Sequence, residues 1–289
     1  MHQPVMLEEA LEHLAMRPDG IYLDATAGLG GHTGAMAARL TTGFVIASDR
    51  DSESLELAKQ NTVDAGDRIR FHHGEFSTLS EALRENGINQ VDGLLADLGV
   101  SRFQLTDAAR GFSILTEGPL DMRMDQTKGI TAADLVNYTA EKALADLIYQ
   151  LGEERRARKI ARAIVRARPI RSTRHLADVV ERAAHRTGRL HPATQTFMAL
   201  RIKVNEEQEE LDRLLEAAPE IVKSKGRVVV ISFMSLEDRK VKNKYRDLDR
   251  EGRATTLTKR PLRPTEDEVS ANPAARSAKL RALEMNERG

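Results

Sequence analysis

The chain has 289 residues, of which 40% are apolar, with 44 Lys and Arg against 44 Asp and Glu and no cysteine at all. The balanced charge excludes a protein that coats nucleic acid by sheer net charge, and the missing thiols exclude disulfides, thiolate zinc sites and cysteine nucleophiles together. At roughly 150 residues per domain, the length predicts two domains or one core carrying a large insertion. Glu8, Glu9 and Glu12 interrupt the apolar start of the chain, unlike a targeting peptide, and no apolar run nears the ~18 residues of a membrane span. A cytoplasmic protein with no membrane partner is expected.

Short apolar runs and helical patterns alternate through the first hundred residues. Strands are predicted at 21–25, 43–48, 69–72 and 91–98, with helices near 33–40, 52–61 and 78–86. Strand-then-helix alternation predicts a parallel α/β sheet with crossover helices. From about 106 to 202 only helical periodicity remains, punctuated by Gly118-Pro119, Gly129, Pro169 and Gly188. A strand returns at 227–233 and a weaker one at 253–258, and each needs a sheet to join. The expectation is a discontinuous α/β domain, 1–105 with 203–289, interrupted by a helical insertion at 106–202. The tail after Arg260 is polar and contains proline, which predicts partial order.

The first predicted strand runs into Asp24-Ala-Thr-Ala-Gly28-Leu-Gly30-Gly31-His32, which opens a helix. Glycines let backbone amides approach a ligand at a helix N-terminus. A dinucleotide fingerprint needs a third glycine where Thr33 stands, and no Gly-Lys-Ser/Thr follows to make a phosphate loop. The second strand ends at Asp49, where a carboxylate can take both hydroxyls of an adenosine ribose. Glycine turn plus strand-end acid suits S-adenosylmethionine (SAM) better than NAD; the bland alternative is a tight turn and a capping acid in an unrelated α/β protein. Phe76 follows the third strand, where it can lie against an adenine, and Asp97 ends the fourth. Singly each is more often structural, but in open α/β sheets ligands bind outside the carboxyl ends of the strands.

Segments spread over nearly the whole chain resemble the bacterial 16S rRNA cytosine-N4 methyltransferase family (MraW/RsmH). They are His2-Gln-Pro-Val-Met-Leu7, the Asp24 to His32 turn, Asp97-Leu-Gly-Val-Ser101 with Gln104, Arg110-Gly-Phe-Ser113, Gly118-Pro-Leu-Asp-Met-Arg-Met-Asp125 and Gly152-Glu-Glu-Arg155. Later come His191-Pro-Ala-Thr194, Ala199-Leu-Arg-Ile202, Ser235-Leu-Glu-Asp-Arg239 and the run from Asn272 to Arg281. The resemblance implies a class I SAM-dependent methyltransferase fold with an inserted helical domain. It implies SAM contacts at Gly30, Gly31, His32, Asp49, Phe76, Asp97 and Gln104. It also implies the substrate: the N4 amine of cytosine 1402 of 16S rRNA in the small ribosomal subunit. The chain departs from the family pattern at Arg102, usually Ser, at Met198, usually Gln, and at Met234, usually His.

Methylating C5 of cytosine needs a covalent nucleophile, normally a thiolate, which this chain lacks. An exocyclic amine needs alignment and an acceptor for its proton. Asp97 is the acceptor best placed by sequence; Ser101 and Asp238 are weaker candidates. RNA contacts are expected from the insertion. Between Arg155 and Arg174 nine of twenty residues are basic and none is acidic: Arg155, Arg156, Arg158, Lys159, Arg162, Arg166, Arg168, Arg171 and Arg174. Apolar residues recur among them at helical spacing, so one face can pack while the other meets phosphates. A merely solvated helix is the competing reading. Arg201 and Arg239 are further RNA-binding candidates, aromatic residues at 4% offer no stacking platform, and no histidines show metal-ligand spacing. A homodimer is an expectation that no residue pattern specifies. The rival readings are a SAM-dependent methyltransferase acting on another amine, a non-catalytic RNA-binding assembly factor, and, third, an NAD oxidoreductase.

Overall fold

The computed structural model describes residues 4–184 and 191–287, so His2, Gln3 and Gly188 lie outside the described residues. Seven strands make one sheet: β1 (Ile21–Asp24), β2 (Phe44–Asp49), β3 (Ile69–His73), β4 (Val91–Asp97), β5 (Val222–Ser232), β6 (Ala254–Thr256) and β7 (Lys279–Met285). Helices α1 (Leu7–Leu14), α2 (Gly31–Ala38), α3 (Ser52–Asn61), α4 (Leu79–Glu85), α5 (Arg102–Thr106), α6 (Ala132–Tyr138) and α7 (Glu141–Gly152) come first. After them run α8 (Ala157–Ala167), α9 (Thr173–Ala183), α10 (Thr194–Val204), α11 (Glu207–Ile221), α12 (Ser235–Arg250) and α13 (Glu266–Ala271). No described helix is long and apolar enough to cross a membrane.

The chain divides into two compact units, one made of Met1–Gly99 with Glu209–Gly289 and the other of Val100–Gln208. In the first, the sheet order is β3-β2-β1-β4-β5-β7-β6, with β1 to β5 parallel and β7 antiparallel to both its neighbours. Successive strand residues point to opposite faces, so each strand feeds two cores. Leu23, Ile46, Leu94, Val228 and Leu283 face one core, shared with α4, α11 and α12. Tyr22, Val45, Leu95, Val229, Leu280 and Ala282 face the other, shared with α1 and α2. The strand order reverses between β1 and β4: β2 and β3 lie on one side, and β5, β7 and β6 on the other. In such sheets the crevice at the C-terminal ends of the two strands flanking the reversal is where ligands bind.

The partly ordered tail expected after Arg260 is corrected here. Residues 279–285 form β7, which pairs along six residues with β5, and Leu280 and Ala282 are fully buried. The charges that disguised the strand are neutralised in place. Arg281 donates to Asp238 at 2.7 Å with Lys279 at 3.7 Å from the same carboxylate, and Glu284 accepts from Arg227 at 2.8 Å. β5 also starts earlier than expected, at Val222.

The second unit contains helices and no strand among its described residues. Its core is built by apolar faces of α6 to α10, including Leu135, Leu144, Ile148, Ile160, Ile164, Val180 and Phe197. The loop before α6, which carries much of the family-like block, is fixed by buried polar groups. The Arg110 guanidinium donates to the Arg123 and Met124 carbonyls, and Asn205 accepts from the Met124 N–H while donating to the Met122 carbonyl. Buried backbone groups need partners, so this block's residue identities are explained by packing before any ligand is invoked.

Candidate active site

β1 ends at Asp24, and the turn after it is stitched to the two neighbouring strands, β4 and β2. The Ala25 N–H donates to the Leu95 carbonyl, the Ala27 N–H to the Ser48 carbonyl, and the Gly28 N–H to Asp49 Oδ2 at 2.7 Å. Gly28 (φ 53°) and Gly30 (φ 86°) take left-handed backbone that side chains disfavour. A Cβ on Gly30 would also stand 2.9 Å from Thr62 Cγ2, so the turn lies against its neighbours. Gly30 is the N-cap of α2 and offers no side chain there, leaving the first helical amides uncapped by it. Gly31 begins α2 itself, packed beside Pro4.

Four acids surround this turn. Asp24 is fully buried and accepts from the Thr26 N–H and the Thr33 hydroxyl, at 3.1 and 2.6 Å. Asp49 is half-buried, and besides Gly28 it accepts the Asp51 N–H at 2.9 Å, so each oxygen already serves one backbone amide and keeps one lone pair. Burial pushes its carboxyl up to about 6, against the pull of those two amides. Asp97 is anchored through its N–H to Thr26 Oγ1 at 2.6 Å, while its Oδ1 is buried and accepts nothing among the described residues. Burial raises Asp97 well above the carboxylate range, and the nearby Asp24 and Glu237 carboxylates add to the rise. Glu237, 3% exposed, accepts the Phe233 and Met234 N–H groups at the start of α12. His32 is buried among them: its Nε2 contacts the Val5 carbonyl at 3.0 Å and its Nδ1 lies 3.7 Å from Asp97 Oδ2.

The structure therefore brings Gly30, Gly31, His32, Asp49 and Asp97 to the C-terminal ends of β1, β2 and β4. Phe76 follows β3 and is half-buried against the core shared with α4. Gln104 lies in the second unit, where it forms a capping box with Ser101 at the start of α5. That employs Ser101 structurally, and Asp238, engaged by Arg281 and Lys279, is likewise excluded as a free base. Met234 is the N-cap of α12, a place usually held by a polar side chain. Sequence reading missed Thr26, Thr33 and Glu237, which position or polarise the site. A Thr two residues past a strand-end Asp was the available signal for Thr26; for Glu237 it was its place in the family-like Ser235 to Arg239 segment.

The basic candidates separate in the same way. On α8 the buried face is Ala157, Ile160, Ala161 and Ile164, while Arg158, Lys159, Arg162 and Arg166 are exposed, with Arg155 exposed just before the helix. Arg162 makes one contact with Glu141, at 3.4 Å. Arg156 is held by the buried Glu154, and Arg168 donates to the Val136 and Thr139 carbonyls, so neither belongs to the open stripe. Arg201 is a correction: it forms a two-pronged ion pair with Glu207 at 2.8 and 2.9 Å and is largely buried. Arg239 is exposed on α12. Among the described residues no group of three His, Asp or Glu could hold a metal ion.

Comparison with known proteins adds the lineage. The sequence profile of the MraW methylase family matches residues 1–286. The chain is 67% identical over 285 residues to the "Ribosomal RNA small subunit methyltransferase H" of Solibacter usitatus, covering 99% of this chain and 100% of that one. It is 50% identical over 293 residues to the same-named protein of Acidobacterium capsulatum, covering 98% of each. A solved structure from Clostridium thermocellum, described as a candidate rRNA methylase, covers 99% of this chain and 100% of that one with a TM-score of 0.50 at 11% identity, a likeness of fold alone. The sheet order, the glycine turn at the strand reversal and the family match across the chain agree, and this protein belongs to the MraW methylase family of SAM-dependent methyltransferases.

Proposed function

We propose that this methyltransferase methylates the N4 amine of cytosine 1402 in 16S rRNA of the small ribosomal subunit. The names of its relatives support an rRNA substrate in the small subunit; the atom and position follow from the family resemblance. The observation that carries the chemistry is Asp97 Oδ1, a buried carboxylate oxygen with no hydrogen-bond donor among the described residues, at the end of a strand flanking the reversal. An amine that gains a methyl group must lose a proton, and such an oxygen can take it. The lack of any cysteine argues against attack on C6 and hence against C5 methylation.

The donor set fits SAM. Asp24, Asp49, Asp97 and Glu237 gather acidic side chains and, among the described residues, no basic one but His32 around the turn, which suits a ligand bearing a sulfonium and an ammonium better than a pyrophosphate. Asp49 would hold the ribose hydroxyls with its remaining lone pairs, Gly30 and Gly31 would admit the ligand to the backbone, and Phe76 would lie on the adenine. Asp97 and His32 would border the methyl-bearing end, and Gln104 is retained as a SAM contact on the strength of the resemblance. When bound, SAM supplies an electrophilic methyl group. The chain's own tasks are to orient the amine, exclude water and accept one proton at Asp97. The helical unit is proposed as the RNA-recognition domain, through Arg155, Arg158, Arg162 and Arg166, with Arg239 as a separate phosphate contact in the sheet unit.

Incubation with tritiated SAM and unmethylated small subunits, free 16S rRNA, DNA and protein tests the reading. Label should enter small-subunit rRNA, and nuclease digestion with mass spectrometry should yield N4-methylcytidine from the decoding region. Detection of 5-methylcytidine, or of label only in protein or DNA, would overturn it.

A further inference from the structure

His32 occupies a place that its role as a turn residue does not explain. It is 5% exposed, on the first turn of α2, and each ring nitrogen has an oxygen neighbour among the described residues. A carbonyl can only accept, so the 3.0 Å contact with Val5 O requires a proton on Nε2. That leaves Nδ1, 3.7 Å from Asp97 Oδ2, either as a lone pair facing a carboxylate or as a second N–H facing an acceptor. Lone pair against carboxylate is repulsive, and one proton between the two relieves it.

The remaining neighbours decide where that proton resides. Asp24 stands at the end of β1 and interacts electrostatically with His32, and Glu237 on α12 adds its charge at Asp97. Asp49 at the end of β2 feels the charge of Asp24. From the other side, Glu268 on α13 accepts the N–H of Met6, the residue after Val5. Every titratable group named here apart from His32 is an acid. Imidazole is also the stronger base, with an ordinary value of about 6.5 against about 3.9 for aspartate. One cation amid these acids is favoured over a fully neutral arrangement.

We propose that His32 is a positioning residue for methyl transfer: its doubly protonated ring holds Asp97 as a carboxylate, with Oδ2 facing the ring and Oδ1 left to receive the substrate proton. The inference rests on the reading of Asp97 as the acceptor. In the step itself an N–CH3 bond forms as the S–CH3 bond of SAM breaks, and the electron pair of that bond stays on sulfur. The proton leaves the amine nitrogen for Asp97 Oδ1, and His32 keeps both of its protons throughout. Without the imidazolium, burial and the neighbouring acids would leave Asp97 protonated and unable to accept.

The direct test is nitrogen-15 NMR of the His32 ring in the full-length, ligand-free protein from pH 5 to 9, assigned by the signal missing from His32→Gln. Both ring nitrogens should be protonated at pH 7, and Asp97→Asn should lower the ring's titration midpoint by about 1–3 pH units. A ring carrying only the Nε2 proton at pH 7, or a midpoint indifferent to Asp97→Asn, would overturn the proposal. The second readout is the pH dependence of kcat. Asp97 must be ionised to accept, so turnover rises with pH through its titration, and His32→Gln should move that rise upward by about 1–3 units with recovery at high pH. An equal loss of kcat at every pH would mean a structural role only. Should His32→Gln fail to fold, the NMR of Asp97→Asn still decides, with signals assigned in the wild type by through-bond correlation. Full turnover by Asp97→Asn would retire Asp97 as the acceptor, while the NMR would report separately on the ion pair.

Discussion

The acids of the sheet unit and the bases of α8 are two concentrations of charge in a chain whose totals cancel, and they behave in opposite ways. Burial raises the carboxyls of Asp24, Asp49 and Asp97 above the ordinary carboxylate range, and the buried Glu237 adds its charge at Asp97. Arg155, Arg158, Arg162 and Arg166 are exposed, and their only described counter-charge is the Glu141 contact of Arg162. Buried charges act over a few ångströms and govern proton positions, whereas exposed ones act through the ionic atmosphere and yield to salt. A methyltransferase acting on RNA needs both, and net charge reveals neither.

The comparison breaks most sharply at Asp97. Asp97→Asn keeps the shape but loses the anionic acceptor, so turnover at saturating SAM should fall by about 100-fold or more, with no change in the salt dependence of RNA binding. Steady-state rates alongside filter binding check both halves. Arg158, Arg162 and Arg166 changed together to Ala should do the reverse. The slope of log affinity against log salt should flatten by up to about 2, at ~0.7 per phosphate contact, while SAM affinity measured by calorimetry stays unaltered. An unmoved slope would make α8 a solvated face and nothing more.

Asp49 sharpens the buried side further, because its carboxyl titrates at about 6. Ribose hydroxyls require the ionised acceptor, so SAM affinity should be present above pH 6 and fall about tenfold between pH 7 and 5, a dependence that Asp49→Asn should abolish. The ligand-free protein should show the opposite trend. The folded state holds this proton more tightly than the unfolded chain, so the contribution of Asp49 to stability declines as pH rises from about 4 to 6, readable as a falling Tm. The smallest effect is expected at Arg239, exposed on α12, where Ala should leave Tm within about a degree and change the salt slope by less than 1.

What the sequence conveyed follows the same division. Strands buried on both faces are continuous apolar runs, which is why β1, β2, β4 and the Val228 to Ile231 part of β5 were legible from residue order. The strand-end acids Asp49 and Asp97 could be placed because a parallel sheet puts its carboxyl ends together. β7 was hidden because Lys279, Arg281 and Glu284 look like surface residues until Asp238 and Arg227 are beside them, and those partners lie more than forty residues away. Arg201 misled for the same reason: its exposure was assumed, and Glu207 six residues on had already claimed it. Glu237 stood inside a family-like segment, but its influence on Asp97 could not be read there, since it exists only across space.

The threading of β7 between β5 and β6 has a consequence for damaged or shortened chains. β6 touches the rest of the sheet only through β7, and β5 has no other partner on that side. A chain cut before Lys279 would keep the glycine turn and all four acids around it, yet leave Val228 to Ile231 as a bare apolar edge with unpaired backbone amides and carbonyls. Such an edge is a template for pairing with another molecule's strand. Loss of this short segment should therefore appear first as aggregation rather than as an inactive soluble enzyme.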